Sequence, residues 1–255
     1  MKRYILSGFV LSVVFSMILA SCSSDDNPTT PSTSDSFFPM AVGNTWTYLE
    51  YEVDSLTNQK ISGTEDTVKV VIAGQANLKG KDAYMFVNTS QKEGVDTAYY
   101  YAEGDNLWML ADTSLTPIDD RPSDLATSIW VEFLKPGTAS WNLYTQHITQ
   151  DIPAGPFTVK MSVKVTVTGK TVGQEDVQAG GKSYTGATRC DINANLKITF
   201  TPSIPPVLTD MELNIPVKTY LVRGISQVRR ESGGMSIMGQ GRNGTVSELI
   251  SYTVQ

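Results

Sequence analysis

The sequence predicts a mainly β protein, an antiparallel meander that curls into a barrel or half-barrel, with a β-sandwich as the alternative. Apolar and polar residues alternate with a period of two in many segments, and Gly and Pro are frequent, at 20 and 12 of 255 residues. Such alternation places one face of each strand on a core and the other in water, which is typical of antiparallel sheets. No helix of ten residues alternates with these segments, so a parallel α/β sheet is disfavoured.

The clearest alternation lies in the second half of the chain. Phe157–Gly169 alternates Phe, Val and Met with Thr, Lys and Ser, and Arg189–Phe200 repeats the pattern. Asp124–Leu134 fits neither period cleanly and is interpreted as one short helix bounded by Pro122 and Pro136. Further strands are predicted at Asn44–Asp54, Thr67–Ala73, Ala83–Val87, Thr97–Ala102, Leu107–Leu110, Met211–Val222 and Val246–Val254.

The first 21 residues are interpreted as a lipoprotein signal peptide. Lys2 and Arg3 precede an apolar stretch, Tyr4–Leu19, that is short for a membrane span. The following residues, Leu-Ala-Ser-Cys ending at Cys22, resemble the bacterial lipobox, in which cleavage falls before the cysteine and the new N-terminus is acylated. Cys22 is therefore the predicted lipid attachment site, and several acyl chains would hold the protein on a bilayer. An ordinary signal peptide with a chance cysteine is the alternative.

A tether is predicted between the anchor and the body. Residues 22–36 comprise the lipidated cysteine and a stretch of Ser, Asp, Thr, Asn and Pro without an apolar side chain. Its first residues, Ser-Ser-Asp-Asp, resemble the acidic surface-export signal of Bacteroidetes lipoproteins, and a generic solvated linker explains them equally well. Residues 37–255 are predicted to form a single β-rich domain.

Composition and charge exclude several classes of function. The net charge is −6, and removal of the signal peptide leaves 18 basic against 26 acidic residues, a net charge of −8. Nucleic-acid binding needs a basic face and is not predicted. One His and two Cys are too few for a His/Cys metal site. We predict no metal, no cofactor and no catalytic residues, since no nucleophile elbow or zinc-binding motif is present. The protein is expected not to be an enzyme.

Three segments together resemble a family of uncharacterised bacterial lipoproteins of the Bacteroidetes type, a domain of unknown function. Phe37–Tyr48 (FFPMAVGNTWTY) resembles their F-P-x-x-V-G-N-x-W-x-Y opening, and Gly173–Tyr184 (GQEDVQAGGKSY) resembles a mid-chain stretch. Leu221–Val228 (LVRGISQV) resembles a motif near their C-terminus, with Ser226 in place of the usual second glycine. The resemblance implies a curved antiparallel sheet in the style of periplasmic lipoprotein carriers, and it implies no enzymatic role.

The opening motif also has a direct physical interpretation. Pro39 fixes the direction in which the chain enters the first strand. Gly43 is expected to supply a positive φ in the turn before that strand. Trp46 and Tyr48 then face the same side, where two large rings can seal one end of a core.

The aromatic residues in the middle of the chain give the candidate binding residues. Three consecutive tyrosines, Tyr99 to Tyr101, must place at least one ring on each face of a strand. Tyr100, Trp108 and Trp141 are predicted as ligand-facing aromatics that stack on sugars or line an apolar cavity. A purely structural role in the core is the alternative.

The leading functional hypothesis is a lipid-anchored outer-membrane protein, on the periplasmic or the cell-surface face, that binds without catalysis. Its partners would be the membrane, through the anchor, and an apolar or glycan ligand or another envelope protein. A structural or assembly lipoprotein without a ligand is the second hypothesis, and a polysaccharide hydrolase is the third. A cavity lined by Trp and Tyr would favour the first and a filled interior the second. Two carboxyl groups facing each other across a cleft, one with a raised pKa, would favour the third.

Overall fold

A computed structural model of the chain describes residues 36–112, 128–154, 157–202, 210–237 and 240–255. Within these ranges the secondary structure is entirely β, with fourteen strands. The strands are β1 (Thr45–Val53), β2 (Asp66–Leu78), β3 (Lys81–Ser90), β4 (Gly94–Glu103), β5 (Asn106–Asp112), β6 (Ser128–Leu134), β7 (Trp141–Ala154), β8 (Phe157–Ala179), β9 (Lys182–Thr201), β10 (Met211–Val222), β11 (Ser226–Ser232), β12 (Met235–Ile237), β13 (Gln240–Arg242) and β14 (Gly244–Thr253).

Twelve strands form one antiparallel sheet, and β12 and β13 form a separate two-stranded ribbon. The order in the large sheet is β6-β5-β4-β3-β2-β1-β14-β11-β10-β9-β8-β7. The first half of the chain therefore meanders from β1 to one edge, and the second half meanders from the opposite edge back to β14. The two meanders meet where β1 pairs with β14.

The sheet curls until its edges approach each other. Strands β6 and β7 lie at opposite edges of the sheet, yet only residues 135–140 connect them, and that length spans at most about 25 Å. The Trp141 indole Nε1 of β7 donates a hydrogen bond to the Glu132 carbonyl of β6 at 3.0 Å. The result is a nearly closed barrel, which confirms the predicted curling meander over the sandwich.

The inside of the barrel holds two apolar clusters. One contains Trp46 and Tyr48 of β1 together with Leu249 of β14, as the opening motif predicts. The other joins Phe37 and Phe38, which precede β1, to side chains from both meanders. Its further buried members are Tyr100, Leu107, Leu134, Trp141, Cys190, Ile192, Val217 and Leu221. The core therefore connects the first residues of the domain to both edges of the sheet.

The short helix predicted over Asp124–Leu134 is wrong for the part that the structure describes. Ser128–Leu134 forms the edge strand β6, and positions 124–127 lie outside the described residues. A β-bulge interrupts the pairing of β6 with β5, and both Phe133 and Leu134 line the interior. Trp130 packs on the opposite face. Apolar side chains on both faces and the bulge obscure the period of two that identifies a strand.

Two residues of the family-like motifs, Gly43 and Ser226, have positive backbone φ angles. Gly43 has a φ of 96°, as predicted for the turn before β1. Ser226 has a φ of 92°, a conformation that L side chains rarely adopt. The resembled family has glycine at this position, and glycine would adopt this conformation without strain.

The predicted signal peptide (1–21), the lipidation site Cys22 and the tether up to residue 35 lie outside the described residues. Among the residues that are described, no helix is long and apolar enough to cross a membrane.

Candidate functional site

A half-open cavity of about 80 Å³ lies inside the barrel, beside the start of β1. Its wall is mostly apolar and aromatic, because inward-facing side chains from the first meander meet Leu221 of the second. The lining residues that define its shape are Phe38, Met40, Trp46, Phe86, Tyr100 and Leu134. This volume exceeds the roughly 10–15 Å³ needed for one water molecule. It is below the roughly 300–1,000 Å³ of a site that encloses a whole small molecule.

The segment that precedes β1 forms one wall of the cavity. Phe38, Pro39 and Met40 line it directly. Two hydrogen bonds hold the segment in place: the Gly224 amide donates to the Ser36 carbonyl at 2.8 Å, and Asn44 Nδ2 donates to the Pro39 carbonyl at 2.9 Å. This wall is therefore part of the folded domain, although it directly follows the predicted tether.

The exposed side chain of Arg223 packs on Phe37, the residue that precedes this wall. The guanidinium of Arg223 lies 4.1 Å from the centroid of the Phe37 ring, within the range of a cation–π interaction. The same guanidinium donates two hydrogen bonds to the carboxylate of Asp105, at 3.0 and 2.5 Å. The first residues of the domain are thus fastened to β4–β5 as well as to β10–β11.

Three aromatic rings build the opposite wall. Trp46 stacks on Phe86 with ring centroids 6.2 Å apart, and Phe86 meets Tyr100 edge to face at 4.9 Å. The Trp46 indole Nε1 donates to the Ile225 carbonyl at 2.5 Å. These contacts fix the ring positions, so the wall is preformed.

A few polar groups border the cavity. Tyr48 donates its hydroxyl proton to the Gln227 carbonyl at 3.1 Å, and Asn88 is only 3% exposed. Burial raises the pKa of both the Tyr48 and the Tyr100 phenols well above the ordinary value. Both rings therefore stay neutral at physiological pH and present hydroxyl groups rather than charges.

The three predicted ligand-facing aromatics do not form one site. Tyr100 lines the cavity and is 4% exposed. Trp141 is also buried inside the barrel, but it packs in the core and does not line the cavity. Trp108 lies on the outer face of the sheet, where its ring stacks on Tyr101 at 5.6 Å. The period of two along β4 and β5 separates Tyr100 from Tyr101 and from Trp108.

The outer aromatic cluster consists of Tyr101, Trp108 and Trp130. Trp130 meets Tyr101 edge to face at 4.8 Å, and the Lys81 ammonium lies 4.7 Å from the Tyr101 ring centroid. Tyr101 is only 6% exposed, so its faces are already covered by these neighbours. The Tyr101 ring itself is therefore not available as a stacking platform for a sugar, whereas Trp108 and Trp130 are partly exposed.

The remaining reactive side chains are apart from the cavity. Cys190 is fully buried, its Sγ lies 3.9 Å from Thr171 Oγ1, and burial raises the pKa of the thiol to about 11. The His147 ring contacts the Ser162 hydroxyl at 2.6 Å on an exposed part of β7 and β8. In the part of the chain that the structure describes, no three His, Cys, Asp or Glu side chains are grouped to hold a metal ion.

Comparison with known proteins gives two structural neighbours at low sequence identity. One is a candidate lipoprotein from Parabacteroides distasonis, with a TM-score of 0.45 and 9% identity, covering 85% of this chain and 98% of that chain. The other is a candidate exported protein with a YmcC-like fold from Bacteroides fragilis, with a TM-score of 0.39 and 12% identity over the same fractions. No protein-family model and no curated protein sequence matches this chain.

Proposed function

We propose that this protein is a lipid-anchored envelope protein that binds an apolar group without catalysis, and that the half-open cavity behind Phe38 and Met40 is its binding site. The observation that carries the proposal is a preformed, aromatic-lined cavity that opens beside the buried clusters of the barrel interior. Natural apolar cavities that stay accessible at the surface are typical of binding sites. The envelope location is inferred from the lipobox-like sequence at Cys22.

The size of the cavity limits what it can hold. A cavity of about 150 Å³ binds benzene, so about 80 Å³ encloses the end of an alkyl chain rather than a complete lipid. Each methylene group removed from water contributes about 0.8 kcal/mol. Three or four enclosed carbons therefore give about 3 kcal/mol, which supports dissociation constants in the millimolar range for simple alkyl compounds.

The lining favours an apolar ligand over a glycan. A sugar needs several hydrogen-bond partners, whereas Trp46, Phe86, Leu134 and Leu221 offer almost only carbon atoms. Burying sugar hydroxyl groups against such a wall without hydrogen bonds would be unfavourable.

The position of the cavity relative to the predicted anchor supports the same proposal. Its wall starts at Phe38, and the tether ends at residue 36. Ser36 follows Cys22 by fourteen positions, a length of about 43 Å if the segment is fully extended. We expect Cys22→Ser to release the protein into the soluble fraction of cell extracts. Unchanged retention in the membrane fraction would contradict lipidation.

A structural or assembly role is the second candidate, and the packing of the barrel favours it. Two buried clusters pack the interior formed by the described residues, and the cavity beside them has a volume of only about 80 Å³. A protein of this kind would show no saturable binding of alkyl compounds. The titration with an alkyl compound described below therefore separates the two proposals.

The hydrolase hypothesis gains little from the structure. Glu50 and Asp66 are directly opposite each other on β1 and β2, and burial raises the pKa of Glu50 to about 8. However, they are neighbours in one sheet rather than residues on the two walls of a cleft, and neither lines the cavity. Asp66 also accepts hydrogen bonds from the Ser90 hydroxyl and the Thr67 amide, at 2.5 and 2.8 Å.

The binding proposal is tested by titrating the full chain with 1-hexanol and following the indole N–H signals by NMR. The Trp46 signal is expected to shift with saturation, because this indole lines the cavity, whereas the signal of Trp108 on the outer face is expected to stay unchanged. Val70→Phe should fill the cavity and abolish the shift, since Val70 is one of its lining residues. Val71→Phe, on the opposite face of β2, is the matched control and should bind like the wild type.

Two results would contradict the binding proposal. One is the absence of a saturable Trp46 shift in the wild type, which would favour the structural role. The other is equal binding by Val70→Phe and Val71→Phe, which would place the ligand elsewhere. Native mass spectrometry of protein purified from its own envelope gives an independent check, with a copurified apolar ligand as the expected result.

A further inference from the structure

The edge of the sheet at β7 is longer than the edge that faces it. Strand β7 is the last in the order of the sheet and pairs with β8 along its whole length, from Trp141 to Ala154. Strand β6, at the opposite edge, has seven residues against the fourteen of β7. Among the residues that the structure describes, no strand pairs with β7 on the side away from β8. Part of this edge can therefore accept a further strand.

Strand β6 faces only the beginning of β7. Neighbouring strands alternate in direction across the sheet, so β6 runs antiparallel to β7. The Trp141 indole contacts the Glu132 carbonyl, and β6 starts four positions before Glu132, at Ser128. Because the rise per residue is the same in both strands, β6 ends at about the level of Thr145. The rest of β7 lies past the end of β6.

The side chains on this part of β7 are open to solvent. On the outer face of the sheet every side chain is exposed, namely Thr145, His147, Thr149 and Asp151. On the inner face Ile148 and Ile152 are partly exposed. The edge is therefore accessible from both faces.

The features that normally protect an edge strand lie only at the two ends of β7. Natural edges are protected by lysines, by prolines or by bulges that interrupt pairing. In β7 a bulge lies between Asn142 and Tyr144, and a proline follows near the other end, at Pro153. The stretch Thr145–Ile152 between them contains neither Lys nor Pro. This stretch therefore has an unprotected edge, which pairing with another strand requires.

The protected ends determine how a second copy of the chain can pair with this stretch. Two identical edges pair antiparallel about a two-fold axis. The axis must pass through a residue, because opposite residues of antiparallel strands point to the same face of the sheet. The segment from Thr145 to Pro153 is centred on Thr149. An axis at Thr149 therefore pairs the whole unprotected stretch and places Pro153 opposite Thr145, at the ends of the ladder.

The charges along the edge fit the same register. With the axis at Thr149, His147 of one copy is directly opposite Asp151 of the other, and this pair occurs twice. An imidazole and a carboxylate in opposite positions form a favourable cross-strand pair. Lys164 of β8 is opposite His147 within the sheet, so the incoming carboxylate meets a locally basic site although the net charge of the protein is negative. An axis one residue to either side would separate the two members of the pair.

The inner face of the edge adds apolar contacts in this register. Ile148 of one copy becomes a diagonal neighbour of both Ile148 and Ile152 of the other, at a distance that long side chains can bridge. Both residues are partly exposed in the single chain. Pairing of the two edges therefore removes apolar surface from water and satisfies backbone groups at the same time.

We propose that the stretch Thr145–Ile152 of β7 pairs with the same stretch of a second copy, antiparallel about a two-fold axis at Thr149, so that the protein forms a homodimer with one continuous sheet. The dimer does not depend on the proposed binding function, because none of the described residues of β7 lines the cavity.

The register is tested by disulfide cross-linking of the full chain carrying Cys22→Ser, in which the other cysteine, Cys190, is buried. Thr149→Cys is expected to form a covalent dimer under mild oxidation. The two Cα atoms at the axis would be about 4.5–5.5 Å apart, within the range of a disulfide. Thr145→Cys is the matched control, because it is exposed on the same face of the same strand. Its two copies would be about 26 Å apart and should not cross-link.

The charge pair is tested by sedimentation velocity of the full chain carrying Cys22→Ser over a series of concentrations. His147→Asp places like charges opposite each other twice, so it should weaken the dimer by about tenfold or more. Combining His147→Asp with Asp151→His restores opposite partners and should restore the dimer. Both positions are exposed on the outer face, so folding should be unaffected. His147→Asp should also bind 1-hexanol like the wild type.

Three results would overturn the proposed dimer. The first is a protein without the charge substitutions that sediments as a monomer at every concentration, which would leave the edge to a strand of a different protein. The second is cross-linking of Thr145→Cys as fast as that of Thr149→Cys, which would exclude the register. The third is a dimer that His147→Asp does not weaken, since the two copies would then meet at another surface.

Discussion

Asn44 links the wall of the cavity to the end of the chain, and its removal tests whether that wall is an integral part of the fold. The side chain is fully buried. Its Nδ2 donates to the Pro39 carbonyl at 2.9 Å, and its Oδ1 accepts from the Gln255 amide at 3.0 Å. Asn44→Ala removes both bonds at once.

The expected loss in the free energy of unfolding follows from the two bonds. The Pro39 carbonyl is on a buried residue and would lose its partner, which costs about 1–3 kcal/mol. Gln255 is exposed, so its amide can turn to water, and the loss there is about 0.5–1.5 kcal/mol. Together these give a destabilisation of about 2–4 kcal/mol. Asn44→Asp keeps the acceptor but removes the donor and buries a charge, so we expect an effect at least as large.

The assay is urea unfolding of the full chain, followed by tryptophan fluorescence. The matched control is Asn195→Ala, because Asn195 also makes two hydrogen bonds, at 2.8 Å to Glu212 and Asn214, but on the solvent-exposed side of the sheet. We expect less than about 1 kcal/mol for this control. Equal effects of Asn44→Ala and Asn195→Ala would refute the argument that burial of the Asn44 bonds fixes the segment to the barrel.

Other substitutions test single features of the fold. Gly169→Ala should destabilise the protein by about 1–3 kcal/mol, because its new methyl group would lie 2.2 Å from an atom of the Trp141 indole. Gly74→Ala is the control: its methyl group would have 3.8 Å of clearance, so this variant should be neutral in the same unfolding assay. Ser226→Gly should stabilise by about 1 kcal/mol in thermal unfolding, since it relieves a φ of 92°; a destabilised variant would contradict this strain. For Glu50, whose pKa is raised to about 8, the folded state keeps a proton that the unfolded state releases above its pKa of about 4.5. Between pH 5 and 8 the free energy of unfolding should therefore fall by up to about 1.4 kcal/mol per pH unit, and Glu50→Gln should remove this slope; parallel pH profiles of the two proteins would contradict it.

The strands that the sequence predicts well are those with one apolar and one polar face. Phe157–Gly169 and Arg189–Phe200 are correct as parts of β8 and β9, although both strands extend further. The strands that it misses are β6, β7, β11 and the two short ribbon strands β12 and β13. A strand with Arg230 on its inner face does not alternate in hydrophobicity, so its period is hidden.

The aromatic candidates show the same limit at the level of single residues. Alternation along a strand correctly predicts that Tyr100 and Tyr101 face opposite sides. It does not identify which side encloses the cavity, because both sides of β4 carry packed aromatic rings. That assignment requires the curvature of the whole sheet, which depends on contacts between distant strands.

The sequence by itself determined the β-class, the antiparallel pairing, the turn at Gly43 and the placement of Trp46 and Tyr48 in the core, because these follow from local periodicity and backbone preference. Only the tertiary structure decided the order of the strands, the closure of the barrel and the position of the cavity. The pairing of Glu50 with Ser247 and of Ser247 with Arg230 is the clearest case, since these residues of β1, β14 and β11 meet only through strand register. Register depends on bulges and on the packing of the opposite face, and neither is encoded in any short segment.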